Sequence, residues 1–176
     1  MMVGSEIRLN LGARNRAIPG FLSIDCDPHP GVDIVADVSD LSGFADGSVS
    51  EIVASHILEH FPSNRTLPVL KEWGRVLKNG GILYLGVPDF KRAVELYLQR
   101  GLNEWVQNWL WGDQGYSTAY HYVGFDAPKL KGLVLEAGFS EVSRVEELPV
   151  HCPGDCSNLV SNIDGKRLSL NMVCVR

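Results

Sequence analysis

Apolar and polar residues alternate over Ile7-Arg8-Leu9-Asn10-Leu11, the two-residue period of a strand buried on one face. Ile52-Val53-Ala54 and Ile82-Leu83-Tyr84-Leu85 are continuously apolar, which marks strands buried on both faces. Phe21-Leu22-Ser23-Ile24-Asp25 and Asp33-Ile34-Val35-Ala36-Asp37 read as two further short strands, each closing on a carboxylate. Helical spacing runs from Leu67 to Lys78, where the turn Asn79-Gly80-Gly81 stops it, and again from Phe90 to Arg100, with Val94 and Leu98 four apart. Trp105 and Trp109 are one helical turn apart, a spacing that favours packing over a substrate cage. Asp126-Ala127-Pro128 opens another helix with an N-cap and a proline in the first turn, and Gly138 ends it. Glu141 to Glu147 and Arg167 to Val175 close the chain as two strands, antiparallel to each other. Strands interleaved with helices predict an α/β domain over residues 1–176, its sheet mostly parallel with an antiparallel C-terminal strand.

The first half is short of helices. Only Ala13 to Gly20, and then Pro28 to Val32, separate the first three strands. Five extended residues span about 17 Å, roughly one short strand, so a helix-free parallel return is just possible. An antiparallel third strand would instead turn Asp37 away from the carboxyl ends of its neighbours. Reduced helix cover leaves apolar surface from Phe21, Ile24, Ile34 and Val35 to be hidden. The aromatic stretch from Trp105 to Tyr122, or a second copy of the chain in a homodimer, is expected to cover it.

Composition narrows the classes. A chain of 176 residues, 45% hydrophobic and 21% charged, suits one domain with a substantial core. The net charge of −5 gives no basic footprint and weighs against nucleic acid. No apolar stretch approaches a membrane span, and Met1 to Glu6 is not a signal peptide, so a cytoplasmic location is expected. His151, Cys152 and Cys156 could supply soft metal ligands, but a tetrahedral site needs a fourth group, so a proline-glycine loop with free thiols is the expectation and no metal is assigned.

The chemistry points to the strand ends. Gly12, directly after the first strand, lets backbone approach a ligand with no Cβ in the way, and Asp25 at the next strand end is placed to accept hydrogen bonds from ribose hydroxyls. Gly12-Ala13-Arg14-Asn15-Arg16 lacks the further close glycines that admit a pyrophosphate, so a dinucleotide is not expected.

The order of segments carries more. Leu9-Asn10-Leu11-Gly12, Ile24-Asp25, Val35-Ala36-Asp37, Ser48-Val49, Ala54-Ser55-His56-Ile57-Leu58-Glu59-His60, Glu72-Trp73, Arg75-Val76-Leu77-Lys78, Gly80-Gly81 and Val87-Pro88-Asp89 follow one another over residues 7 to 90. Gly112-Asp113-Gln114, His121, Gly124-Phe125-Asp126 and Leu135-Glu136-Ala137-Gly138-Phe139 continue the series. This run resembles the class I S-adenosylmethionine-dependent methyltransferases, most closely the small type 11-like group. Ala13-Arg14 stands where relatives keep a second glycine, Asn10 where an acid is usual, Ser50 where an aspartate is usual and Asn79 where a proline is usual.

The resemblance implies a Rossmann-like sheet, S-adenosylmethionine as cofactor and direct methyl transfer to a small-molecule or sugar-type acceptor. It implies Asp25 for the ribose, Asp37 with the Val38 backbone for the adenine, Gly12 and Ala13 for the methionine end, and Ser55 and His56 bordering the cofactor. Arg14 is placed to pair with the cofactor carboxylate. His56, His60, Asp89 and His121 are the candidates for a base, since each falls near a strand end. A non-catalytic S-adenosylmethionine-binding or interaction module is the alternative.

His56-Ile57-Leu58-Glu59-His60 also matches the H-x-x-E-H of inverted zinc peptidases, in which two histidines on one helix turn hold the metal. His56 here continues an apolar strand and Pro62 interrupts the segment, so the zinc-hydrolase reading is the remote one.

Overall fold

The computed structural model describes residues 6–150, 154, 157–161 and 164–176. The cysteine-bearing stretch from His151 to Cys156 considered as a metal loop lies, Gly154 apart, outside the described residues. Seven strands make one sheet: β1 (Ile7–Leu11), β2 (Leu22–Asp25), β3 (Ile34–Val35), β4 (Val49–Ser55), β5 (Leu77–Pro88), β6 (Glu141–Val145) and β7 (Ser169–Val175). Their order is β3-β2-β1-β4-β5-β7-β6. Neighbours from β3 through β5 pair in parallel, and β7 runs antiparallel between β5 and β6. Chain order reverses between β1 and β4, so the connections leaving their carboxyl ends diverge and open a crevice there.

The short return after β2 succeeds. β3 keeps only two residues in the ladder, yet it pairs parallel to β2 through Ile24↔Ile34 and Asp25↔Val35. Asp33 secures the return, because its Oδ2 accepts the Ser23 amide at 2.8 Å and its own N–H donates to the Ser23 carbonyl at 2.8 Å. Asp37 therefore stays at the carboxyl end of the sheet.

One face of the sheet carries a helical layer. Helix α1 (Ser63–Val76) buries Val69, Leu70, Trp73 and Val76, and α4 (Ala127–Glu136) buries Leu130 and Val134, all joined to Leu9, Leu11, Ile24, Ile52 and Leu83 in the main core. Burying each such aliphatic side chain is worth about 1.5–3 kcal/mol, so this layer dominates stability. Helix α1 begins four residues before the expected Leu67 and ends two before Lys78. It contains Pro68, which forfeits one backbone bond to the preceding turn. Asn79-Gly80-Gly81 is a bulge inside β5 rather than a turn before it: pairing with β4 jumps from Val49↔Leu77 to Glu51↔Ile82, and Gly80 takes φ +74°.

The other face is covered thinly by loop side chains. Ile18, Phe21 and Leu148 pack on Val53 and Tyr84, and the Arg8 guanidinium lies 4.8 Å from the Phe21 ring centre. Phe21 is thus buried on this face and Ile24 under the helical layer, leaving Leu22, Ile34 and Val35 as the exposed apolar residues of that edge. The aromatic segment does not fold back to cover them. Helices α2 (Phe90–Arg100) and α3 (Glu104–Trp111) instead pack on each other through Ala93, Leu96, Val106 and Trp109. Val94 and Leu98, the apolar pair read from the spacing, face outward.

Candidate active site

Gly12 ends β1 in a conformation that no other residue adopts comfortably. Its φ is +66°, and a Cβ there would lie 1.7 Å from Ile57 Cδ1, so glycine is required both by the turn and by the approach of the loop after β4. The Gly12 and Ala13 amides both donate to the Ile24 carbonyl, at 2.8 and 3.2 Å, which draws this loop against the end of β2. Arg14 follows with φ +46°, a left-handed conformation that a glycine would take without strain.

Asp25 is buried at the end of β2, and its Oδ2 accepts the Arg14 amide at 2.8 Å while Oδ1 accepts the Asp27 amide at 3.0 Å. Gly12, Ala13, Arg14 and Asp25 are therefore assembled into one unit. The Arg14 guanidinium, expected to face a carboxylate, donates to the Tyr116 hydroxyl at 2.6 Å and lies 4.4 Å from that ring's centre. Asn10, in the usual place of an acid, is buried and donates to the Arg16 carbonyl at 2.8 Å, closing the loop from beneath. Asp37 lies exposed after β3 with Oδ1 on the Ser39 amide at 2.8 Å. The carbonyl of buried Val38 accepts the Trp73 indole N–H at 2.9 Å.

The end of β4 builds a second group. Ser55 is buried, and its Oγ has no hydrogen-bond partner among the described residues. His56 breaks the strand with φ +56°, and the chain then makes a 3-10 turn, Leu58–His60, before α1. That turn is no α-helix, so the inverted-peptidase geometry is not formed. Both His56 nitrogens are instead engaged, Nε2 with Ser169 Oγ at 2.8 Å and Nδ1 facing Glu59 Oε1 at 3.2 Å. His60 turns to His121, with ring centres 4.9 Å apart edge to face. Burial alone would raise the Glu59 carboxyl, but His56, followed by the charges of His60 and His121, holds it below the usual carboxylate range. Burial pushes His121 below the usual imidazole value.

Residues 109–122 roof both groups: Trp109 meets His56 edge to face, Tyr116 meets Arg14, and the Tyr122 amide donates to the Glu59 carbonyl at 2.8 Å. Asp89 stands apart, capping α2 through the Lys91 and Arg92 amides and contacting Arg144 at 3.2 Å. That is a structural cap at the start of α2. A cavity of about 750 Å³ between α3 and residues 159–168, lined by Trp105, Asn108, Leu159 and Leu168, includes neither Asp25 nor the histidines.

Sequence reasoning did not assign Glu59, Tyr116 or Ser169 to the site. Glu59 lay within the H-x-x-E-H letters, while nothing local to Tyr116 or Ser169 shows which strand end they reach.

The methyltransferase-domain family model matches residues 19–85, from the end of the first loop into β5. Among solved structures, a methyltransferase dependent on S-adenosylmethionine from Archaeoglobus fulgidus superimposes with a TM-score of 0.64 at 12% identity, covering 98% of this chain and 87% of its own. One from Methanosarcina mazei gives 0.62 at 18% identity, covering 99% and 94%. The fold is that of the methyltransferases dependent on S-adenosylmethionine. The crevice between β1 and β4 is where a sheet of this order holds a ligand. The 1,6-didemethyltoxoflavin-N1-methyltransferase of Burkholderia thailandensis, solved with bound 1,6-didemethyltoxoflavin and S-adenosylhomocysteine, aligns at a TM-score of 0.58 and 13% identity, covering 99% of this chain and 72% of its own. None of the curated proteins matches in sequence.

Proposed function

We propose that this chain is a methyltransferase that uses S-adenosylmethionine and moves its methyl group directly to a small-molecule acceptor. Asp25 takes the ribose hydroxyls, Asp37 and the Val38 N–H the adenine, and the Gly12–Arg14 loop the methionine end. Ser55 and His56 border the cofactor from β4. The acceptor's lone pair forms the bond to the methyl carbon as the carbon–sulfur bond breaks, and that electron pair neutralises the sulfonium. Such a transfer gains its rate from holding the nucleophile in line at about 3–3.5 Å. The observation that carries this reading is the Asp25 carboxylate, buried at the end of β2 and tied to the amide of a left-handed loop. The Burkholderia relative's small acceptor supports the substrate class, as does the net charge of −5, which disfavours a polyanion.

Calorimetry with S-adenosylhomocysteine tests it. Asp25→Ala should weaken binding by about 1.5–3 kcal/mol, the scale of hydrogen bonds to a charged group, with the circular dichroism spectrum preserved. Unchanged affinity removes Asp25 from the site. A second reading, a cofactor-binding module without turnover, is favoured by the Arg14–Tyr116 contact over the first loop. S-adenosylhomocysteine binding with no methyl transfer over a broad acceptor panel would establish it.

A further inference from the structure

We propose that Glu59, His60 and His121 bind a divalent first-row transition-metal ion beneath the aromatic roof. One carboxylate oxygen and one nitrogen from each imidazole lie within 4.8 Å of one another. Donor atoms around a single ion with bonds near 2.1 Å stand roughly 3–3.5 Å apart, so closing the site requires movements of about 1 Å. His60 and His121 are half-exposed on a short turn and a loop, where such adjustments are available.

The orientation of the rings is the second observation. His60 Nδ1 is 3.0 Å from the Tyr120 carbonyl and His121 Nδ1 is 3.2 Å from the Trp109 carbonyl. A carbonyl only accepts, so each Nδ1 carries the proton and each Nε2 presents a lone pair. Metal-ligating histidines are fixed in this way, with the distal N–H on a carbonyl or carboxylate. Glu59 supplies the third. Its carboxylate is fully buried, His56 Nδ1 lies 3.2 Å from Oε1, and Oε2 has no hydrogen-bond partner among the described residues. A buried carboxylate oxygen left without a partner is costly unless a cation meets it.

Two imidazoles and a carboxylate suit zinc, cobalt, iron or manganese rather than magnesium or calcium. Three protein ligands leave at least one position of a tetrahedral site for water or an acceptor oxygen. The ligand set is not that of the inverted zinc peptidases, since His56 is held between Glu59 and Ser169 and His121 comes from the roof.

Cobalt titration of the full chain, freed of metal by chelation, reads the site through visible absorption and calorimetry. One cobalt ion per chain is expected, displaced by zinc, with binding weakened about tenfold or more in both His60→Ala and His121→Ala. Two controls locate it. His29→Ala probes the Asp25, Asp27 and His29 cluster, whose ligand atoms also lie within 4.8 Å of one another, and a Cys152→Ser, Cys156→Ser double variant probes the cysteine loop. Both should bind cobalt as the parent chain does. No cobalt binding at sub-millimolar metal, or binding lost in a control but kept in a circular-dichroism-verified His121→Ala, overturns the site. S-adenosylhomocysteine binding to the metal-free chain is measured in parallel, so loss of the cofactor reading and loss of the metal site are separate results.

Discussion

At the scale of single residues, Arg14 concentrates the departure of this chain from its relatives. A side chain at φ +46° costs about 1 kcal/mol relative to glycine. The chain retains it with three contacts: the amide on Asp25, the guanidinium on the Tyr116 hydroxyl, and the same guanidinium over the Tyr116 ring. Arg14→Gly and Arg14→Ala both delete the guanidinium, but only glycine relieves the backbone. Urea unfolding should therefore find the glycine variant more stable than the alanine variant by about 1 kcal/mol. Equal stabilities would mean that the loop relaxes without strain. Gly12 and Asp25 were legible in the sequence because a strand, a glycine and an acid are local. The pairing of Arg14 with Tyr116 spans 102 residues and follows from how α3 and the roof settle, which no nearby pattern encodes.

At the scale of elements, periodicity located the strands and helices well and their junctions less well. The ends of α1 shifted because a proline precedes it and because Leu77 enters the β5 ladder, both decisions of tertiary pairing over local spacing. The letters of H-x-x-E-H suggested a helix only when read without the strand before them; the left-handed His56 turns the chain out of β4 instead. Helix α1 also does the work that absent helices would do after β3. Glu72 accepts the Leu41 amide at 2.9 Å, while Arg75 holds the Leu41 and Phe44 carbonyls, each at 3.0 Å, and Asp46 at 2.6 Å. Hydrogen bonds from Arg75 place the Glu72 carboxyl below its ordinary value. A carboxyl depressed in the folded state stabilises above its unfolded pKa, near 4.3, and loses that contribution as pH falls through the lower folded value. Glu72→Gln should cost about 1 kcal/mol at neutral pH, and the difference from the parent chain should shrink on acidification below about pH 4. A pH-independent difference in urea melts would assign the loss to packing alone.

At the scale of the molecule, the bare sheet surface from which a homodimer was expected is smaller than the sequence suggested. Phe21 is buried by the chain's own loops and Ile24 under the helical layer, and the edge beyond them offers Leu22, Ile34 and Val35. A two-residue β3 also gives an incoming strand little to pair with. The longer apolar stripe is on α2, where Phe90, Val94, Tyr97 and Leu98 stand on one side at helical spacing and Leu98 is 77% exposed. Two copies of such a stripe pack on each other about a two-fold axis with the same residues on both sides, and the exposed Leu102 and Trp105 extend the surface toward α3. A contact reaching about 1,000 Å² is the threshold for a stable pair. Sedimentation equilibrium at micromolar chain should then report a dimer that Leu98→Asp converts to monomer and that Val35→Asp leaves intact, with the melting temperature of both variants close to the parent. Dissociation by Val35→Asp alone would return the interface to the sheet edge, and a parent chain that sediments as a clean 19.4 kDa species would reject self-association on either surface.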